Sequence, residues 1–176
     1  VYKRQITAST NTLNDGWTNS NAMNNASHPA VQFCRGLTIG GYTDWYMPAR
    51  DELEMFYRNL KPYAGNNITG YKAPSDPDSV SYGFMGVNPF SIPNGTEYTT
   101  VNPAQTGATP FIAGGTEAMP VDGSYMWAST QNTGPSATGT KAWVQVFGGA
   151  NSGLQNLVSK TDSLAITRAI RRVKVN

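Results

Sequence analysis

The sequence predicts an α+β fold, with two or so helices packed on short antiparallel strands and much irregular loop. Three observations carry this expectation. Residues 51–60 repeat apolar side chains at helical spacing, and from Ser124 onward apolar and polar residues alternate as they do in strands. Between these two regions, residues 63–124 are rich in Gly, Pro, Asn, Ser and Thr and follow neither period. The 176 residues are read as one domain, long enough for a core of their own. With 18 Gly, 11 Pro and a hydrophobic content of only 39%, much of the chain is left for turns.

The elements follow in order. Residues 1–16 read as an extended entry segment closed by the turn Asn14-Asp15-Gly16. Trp17 to Leu37 reads as helix in one or two pieces. Ser27 is positioned to cap the second piece, with Pro29 in its first turn. Ala30, Val31, Phe33 and Cys34 would form its inner face, and Gly40-Gly41 would stop it. The clearest helix begins after Pro48. Asp51, Glu52 and Glu54 load its early turns with negative charge, Leu53, Phe56, Tyr57 and Leu60 form one buried stripe, and Pro62 ends it. Ala49 is a poor cap, so the dipole charges carry more of the start.

The stretch 63–124 is expected to be coil with a few short strands, pinned by Phe84, Phe90, Ile92, Tyr98, Phe111 and Ile112. A strand then places Ala142, Val144 and Val146 on one face and Trp143, Gln145 and Phe147 on the other, which fits cover on both sides. Gly148-Gly149 reads as a turn, Leu154 to Lys160 as a weaker strand, and Ile166 to Val175 as the last strand.

Several function classes lack their residues. The formal charge of +2 gives no argument for nucleic acid, and no run is long enough to insert in a membrane. One Cys and one His exclude an internal disulfide and leave no His- or Cys-rich zinc site. Cys34 reads as a small core residue, and His28, just before Pro29, as an exposed or capping side chain. No cofactor-binding fingerprint occurs, and no cofactor is expected. Structural calcium has candidate ligands in Asp76, Asp78 and Asp122, without EF-hand spacing. An enzyme would have to use carboxylates such as Asp51 and Glu54, which share a helix face, for glycoside hydrolysis. Helix-dipole stabilisation and pairing with the C-terminal arginines explain the same acids without catalysis.

Gly40-Gly41-Tyr42-Thr43-Asp44-Trp45-Tyr46-Met47-Pro48, followed by Asp51-Glu52-Leu53, resembles the "GG-x-x-DW-x-LP-x-x-x-EL" pattern of a bacterial and phage branch of the C-type lectin fold. That branch is related to Lcl-type adhesin C-terminal domains and to formylglycine-generating enzymes. Met126 to Gln131 resembles "YWSSTE", Ala142-Trp143 with Gln145 and Phe147 resembles "AW-x-Q-x-F", and Gly153, Gln155 and Lys160 resemble "G-x-Q-x-x-x-x-K". Arg168 to Val173 is similar to "RAVRRV". Met126, Ala128 and Gln131 depart from the pattern, and residues 148–152 lengthen one turn. Within the branch, the chain looks most like phage tail-fibre receptor-binding domains and the variable proteins of diversity-generating retroelements.

The resemblance implies a non-catalytic domain that binds a cell-surface protein or glycan of a host or target cell. It further implies a place on a virion tail or cell surface, with residues 125–172 as the variable region; tail fibres are commonly homotrimers. The physical logic agrees, because a receptor-binding face combines rigid aromatics with small polar residues. The candidate ligand contacts are Tyr125, Gln131, Asn132, Trp143, Val144, Asn151, Leu154, Asn156, Val158 and Thr161. Asp44, Trp45, Glu52, Trp127, Arg168 and Arg171 are expected to be structural, with Asp44 and Glu52 forming buried ion pairs to Arg168 and Arg171. The alternatives are a carbohydrate-active enzyme using loop or helix carboxylates and a purely structural tail or fimbrial module.

Overall fold

The computed structural model describes residues 12–69, 81–82, 96, 98–122, 124–132 and 139–174. Among them, three helices come first: α1 (Gly16–Ala22), α2 (Pro29–Arg35) and α3 (Arg50–Leu60). Five strands, β1 (Ser81–Tyr82), β2 (Tyr125–Gln131), β3 (Lys141–Val146), β4 (Gln155–Ser159) and β5 (Ala165–Ile166), form one sheet of order β1-β4-β3-β2-β5. Helices and the main strands are segregated along the chain, as in α+β proteins. The extended reading of residues 1–11, the anchors Phe84, Phe90 and Ile92, and the calcium candidates Asp76 and Asp78 lie outside the described residues.

The helix starts follow from local chemistry. Asp15 caps α1, its Oδ1 accepting the Thr18 N–H at 3.1 Å. α2 begins at Pro29 with His28, not Ser27, in the capping position. His28 Nδ1 lies 3.0 Å from Asn25 Oδ1. Val31 and Cys34 face inward as expected, but Phe33 is 57% exposed, on the opposite side of the helix. The helix stops at Gly36, ahead of Gly40-Gly41. Those two glycines instead turn a tight hairpin that pairs Ile39 with Tyr42, and their φ angles of 62° and 79° explain why both positions are glycine. Ala49 has no side-chain acceptor to cap α3. Glu52 reaches back instead, taking the Ala49 N–H at 2.8 Å and the Gly16 N–H at 3.1 Å on the same oxygen.

The sheet is packed on both faces. On one, α3 presents Leu53 and Tyr57 to Met126, Ala128, Trp143, Phe147 and Leu157, with Tyr98 and Met119 completing the cluster. On the other, Met23, Val31, Cys34 and Met47 cover Trp127, Ala142 and Val144. β3 is the middle strand and is covered from both sides, as its pattern predicts. Tyr98 is a buried anchor of the loop region, while Phe111 and Ile112 are half-buried.

One irregularity ties the sheet to the helices. β2 advances from Trp127 to Gln131 while β3 advances only from Val144 to Ala142, so a bulge lies between. It contains Ser129, whose N–H donates to Pro48 O at 2.7 Å. Beside it, Thr130 Oγ1 accepts the Arg50 N–H at 3.1 Å and donates to Thr12 O at 2.9 Å.

The C-terminal segment departs from expectation. It is not a strand from 166 onward. It contributes β5, parallel to β2, and then a single bridge between Ile170 and Tyr46. The parallel pairing follows from the path of the chain. Residues 160–164 carry it from the Gln131 end of the sheet to the Tyr125 end, so it enters alongside β2 in the same direction.

Candidate ligand-binding face

The stretches around Asp44 and Arg171 meet in space. Arg171 donates through Nε and Nη2 to the two Asp44 carboxylate oxygens at 2.9 and 3.1 Å, and its guanidinium stacks 3.6 Å over the Tyr42 ring. Between them, the Tyr46 and Ile170 backbones exchange both hydrogen bonds. Glu52 is bound by Arg172 at 2.9 Å, and Arg172 also reaches Asp15 at 3.0 Å. Trp45 lies at the same junction, its carbonyl accepting from Arg35 Nη1 at 2.7 Å.

The expected pairing is therefore right for Asp44 with Arg171 and wrong for the rest. Arg172 is the partner of Glu52, and Arg168 reaches out to Glu117. These pairs are also not buried, since the Asp44 side chain is 42% exposed and that of Glu117 52%. The arginines alternate in direction along an extended segment, so only one of each neighbouring pair can reach a given carboxylate. The bond from Arg171 holds the Asp44 carboxyl below the usual carboxylate value.

The ten candidate contacts separate into two sets. Gln131, Asn132, Trp143, Val144 and Leu154 are buried, contrary to the expected outward display. Each has a local reason. Trp143 turns toward α3, with the Arg50 guanidinium 5.0 Å from its ring centre. Val144 faces the α1–α2 side, directly across from Trp127. Leu154 closes the β3–β4 turn, its carbonyl accepting the Val146 N–H at 2.9 Å. Asn132 continues the β2–β3 pairing through its N–H to Lys141 O at 3.3 Å. Gln131 is held inside by Met23 Sδ at 3.3 Å and Lys160 Nζ at 2.7 Å.

The other five keep access to solvent. Tyr125 and Val158 flank the α1–α2 side of the sheet. Asn156 shares that face, being opposite Val144 and two residues before Val158 on β4. Asn151 is exposed in the 3₁₀ turn Gly149–Asn151, and Thr161 is exposed beyond the other end of β4, where its Oγ1 lies 2.7 Å from Ser159 Oγ. Asn151 and Thr161 thus mark opposite rims, separated by roughly the 17 Å length of a five-residue strand.

The structural reading of Trp127 agrees with its burial. Two residues with no assigned role turn out to be central. Gln145 and Gln155 are fully buried, donating to Gly153 O at 2.9 Å and Arg50 O at 3.0 Å. Their recurrence within the matched patterns was the available signal.

The two helix carboxylates of the enzyme alternative are sealed into packing. Asp51 is 4% exposed and bound to Arg50 Nε at 3.1 Å, with burial pushing its carboxyl above the usual range against the pull of Arg50. Glu54 is fully buried, paired with Arg58 at 2.9 Å and bonded by the Tyr98 hydroxyl. Neither meets a C-terminal arginine, so that explanation of the pair is replaced by these local partners. Asp122, the third calcium candidate, accepts from the Ser124 N–H at 3.0 Å, and no group of His, Cys, Asp and Glu among the described residues has metal-binding geometry. Burial drives the Cys34 thiol up to about 12, which keeps it protonated and unreactive at neutral pH. Comparison with protein-family models, curated proteins and solved structures finds no match to this chain.

Proposed function

We propose that this chain is a non-catalytic binding domain on a C-type-lectin-like framework of the formylglycine-generating-enzyme branch, recognising a cell-surface protein or glycan of a host or target cell. One observation carries the proposal. The sequence patterns that resemble this branch lie as far apart as Asp44 and Arg171, yet their residues bond directly to one another. The resemblance therefore falls on side chains with a shared mechanical task, not on scattered identities. Around this frame, Tyr125, Asn151, Asn156, Val158 and Thr161 supply the mixture of aromatic and small polar groups that adaptable contact surfaces use.

The natural setting of such a domain is a phage tail-fibre tip or a bacterial surface display protein, with residues 125–172 diversified by a retroelement. A homotrimer would raise weak single-site affinity through multivalency. The burial of Asp51 and Glu54 favours binding over glycoside hydrolysis.

Labelled, artificially trimerised protein applied to glycan arrays and a panel of bacterial cells tests the proposal. Saturable binding should be lost when Asn151 and Asn156 are changed together to Asp, with an unchanged melting midpoint. Release of reducing sugar by the wild type would overturn the non-catalytic reading. For the retroelement, the expected mark is a nearby near-copy of the DNA for residues 125–172 that differs mainly at adenines.

A further inference from the structure

After β5 the chain runs on as an extended strap, residues 167–174, none of which is buried. Among the described residues its backbone makes one bridge, between Ile170 and Tyr46. Its apolar side chains hold it weakly: Ala169 packs at the margin of the cluster on the α1–α2 side, and Val173 is 66% exposed. Ion pairs supply the other ties. Arg168 meets Glu117, Arg171 meets Asp44 at 2.9 Å, and Arg172 meets Asp15 and Glu52 at 3.0 and 2.9 Å. The three guanidiniums also lie over the rings of Phe111, Tyr42 and Tyr46, an attraction of the same electrostatic kind.

The sheet is held by different forces. β3 is paired on both edges, and its residues from Ala142 to Val146 are buried. Salt screens the attraction between exposed charges, whereas apolar burial involves no charge to screen. The partners of the strap are spread over the α1 cap, the stretch before α3, α3 itself and the loop at Glu117, so one opening would cut every tie. We propose that residues 167–174 are a charge-held strap that opens as a unit when its ion pairs are screened, with the sheet still folded. The strap is one wall of an open groove of about 690 Å³, and Phe33, Leu37, Ile39, Trp45, Phe56 and Phe111 line the rest. Opening therefore uncovers apolar surface that the closed strap partly shields. The inference stands whether or not the domain binds a cell surface.

Amide hydrogen exchange of the intact chain, resolved by NMR at neutral pH, provides the test. It is measured in about 0.01 M and about 1 M sodium chloride, where the screening length is roughly 30 and 3 Å. The Tyr46 and Ile170 N–H groups report the strap, because each donates across the bridge. The Val146 and Gly153 N–H groups, which donate to Leu154 O and Val146 O, report the sheet. Exchange at Tyr46 and Ile170 should quicken together about tenfold at high salt, the combined effect of several weak pairs. Exchange at Val146 and Gly153 should change by less than about twofold. Asp44→Asn combined with Glu117→Gln removes two exposed carboxylates, so the strap amides should exchange faster at low salt and respond less to added salt. Wild-type exchange at Tyr46 and Ile170 that ignores salt overturns the inference. Equal quickening at all four amides also overturns it, because the whole domain would then be opening.

Discussion

Tyr46 and Ile170 hold each other by two backbone hydrogen bonds, the Tyr46 N–H to Ile170 O at 2.8 Å and the Ile170 N–H to Tyr46 O at 2.9 Å. This one bridge closes the C-terminal segment onto the stretch that leads into α3. Tyr46 is 1% exposed, so its carbonyl has little water to fall back on. Ile170→Pro removes the donor and leaves that acceptor unpaired, which should cost about 1–3 kcal/mol. Ile170→Ala keeps the N–H and loses only partly buried apolar surface, so it should cost less. Urea denaturation of the two variants compares them directly, and a proline variant as stable as the alanine variant would show that the bridge contributes nothing.

Gly153 gives a sharper steric expectation. Its φ is +94°, and an added Cβ would lie 2.7 Å from Tyr98 Cε2 and 2.9 Å from Tyr57 Cε1. Both rings belong to the core on the α3 side, where neighbours leave little room to retreat. Gly153→Ala should therefore combine backbone strain with overpacking and destabilise the fold by about 2–5 kcal/mol. The fall in the urea midpoint measures it, and a midpoint within error of wild type would contradict the crowded geometry.

The two-sided cover of β3, the burial of Cys34 and half of the α3 stripe were legible in the sequence because each depends on local period and residue type; Leu53 and Tyr57 are buried as expected, while Phe56 and Leu60 are only half-buried. The candidate contacts were less legible for a physical reason. Gln131 and Asn132 have surface-like composition, but a buried amide is stable wherever partners arrive from elsewhere. For Gln131 those partners are Met23 and Lys160, 108 and 29 residues away in sequence. Phe33 errs in the opposite direction, since an apolar side chain beside a buried position need not turn inward. The arginine pairing shows the same limit. Charge alternation marks two faces, but only the tertiary path assigns Arg171 to Asp44 and Arg172 to Glu52.

The Asp44–Arg171 pair predicts part of the acid response. Arg171 holds the Asp44 carboxyl below its ordinary value of 3.8, so the folded chain takes up that proton less readily than the unfolded chain. The resulting stabilisation is present above that value and is lost as pH falls through the folded pKa. Asp44→Asn should lower the melting midpoint at neutral pH, and its deficit against wild type should shrink as the pH is taken to about 2. Differential scanning fluorimetry across that range checks the convergence, and a constant offset at every pH would assign the pair no role in the acid limb.

At the alkaline end the buried phenols take over. The Tyr57 hydroxyl donates to Asn67 Oδ1 and lies 2.9 Å from Ser152 Oγ, and Asn67 in turn donates to Thr99 O and Pro103 O at 2.9 and 3.0 Å. Burial pushes the phenol of Tyr57 far above its ordinary value of 10.0, and Tyr46 and Tyr98 move the same way. The unfolded chain therefore loses these protons first. Stability is fully present below pH 10.0 and falls as pH rises toward the folded values. Tyr57→Phe should cost about 1–2 kcal/mol at neutral pH, because it strips a partner from Asn67 beneath the 99–103 loop. Above pH 10.0 the variant lacks one of the titrating groups, so its stability should decline less steeply than that of wild type. Urea midpoints at about pH 8 and about pH 11 separate the two effects, and parallel declines would mean that Tyr57 is not held protonated by the fold.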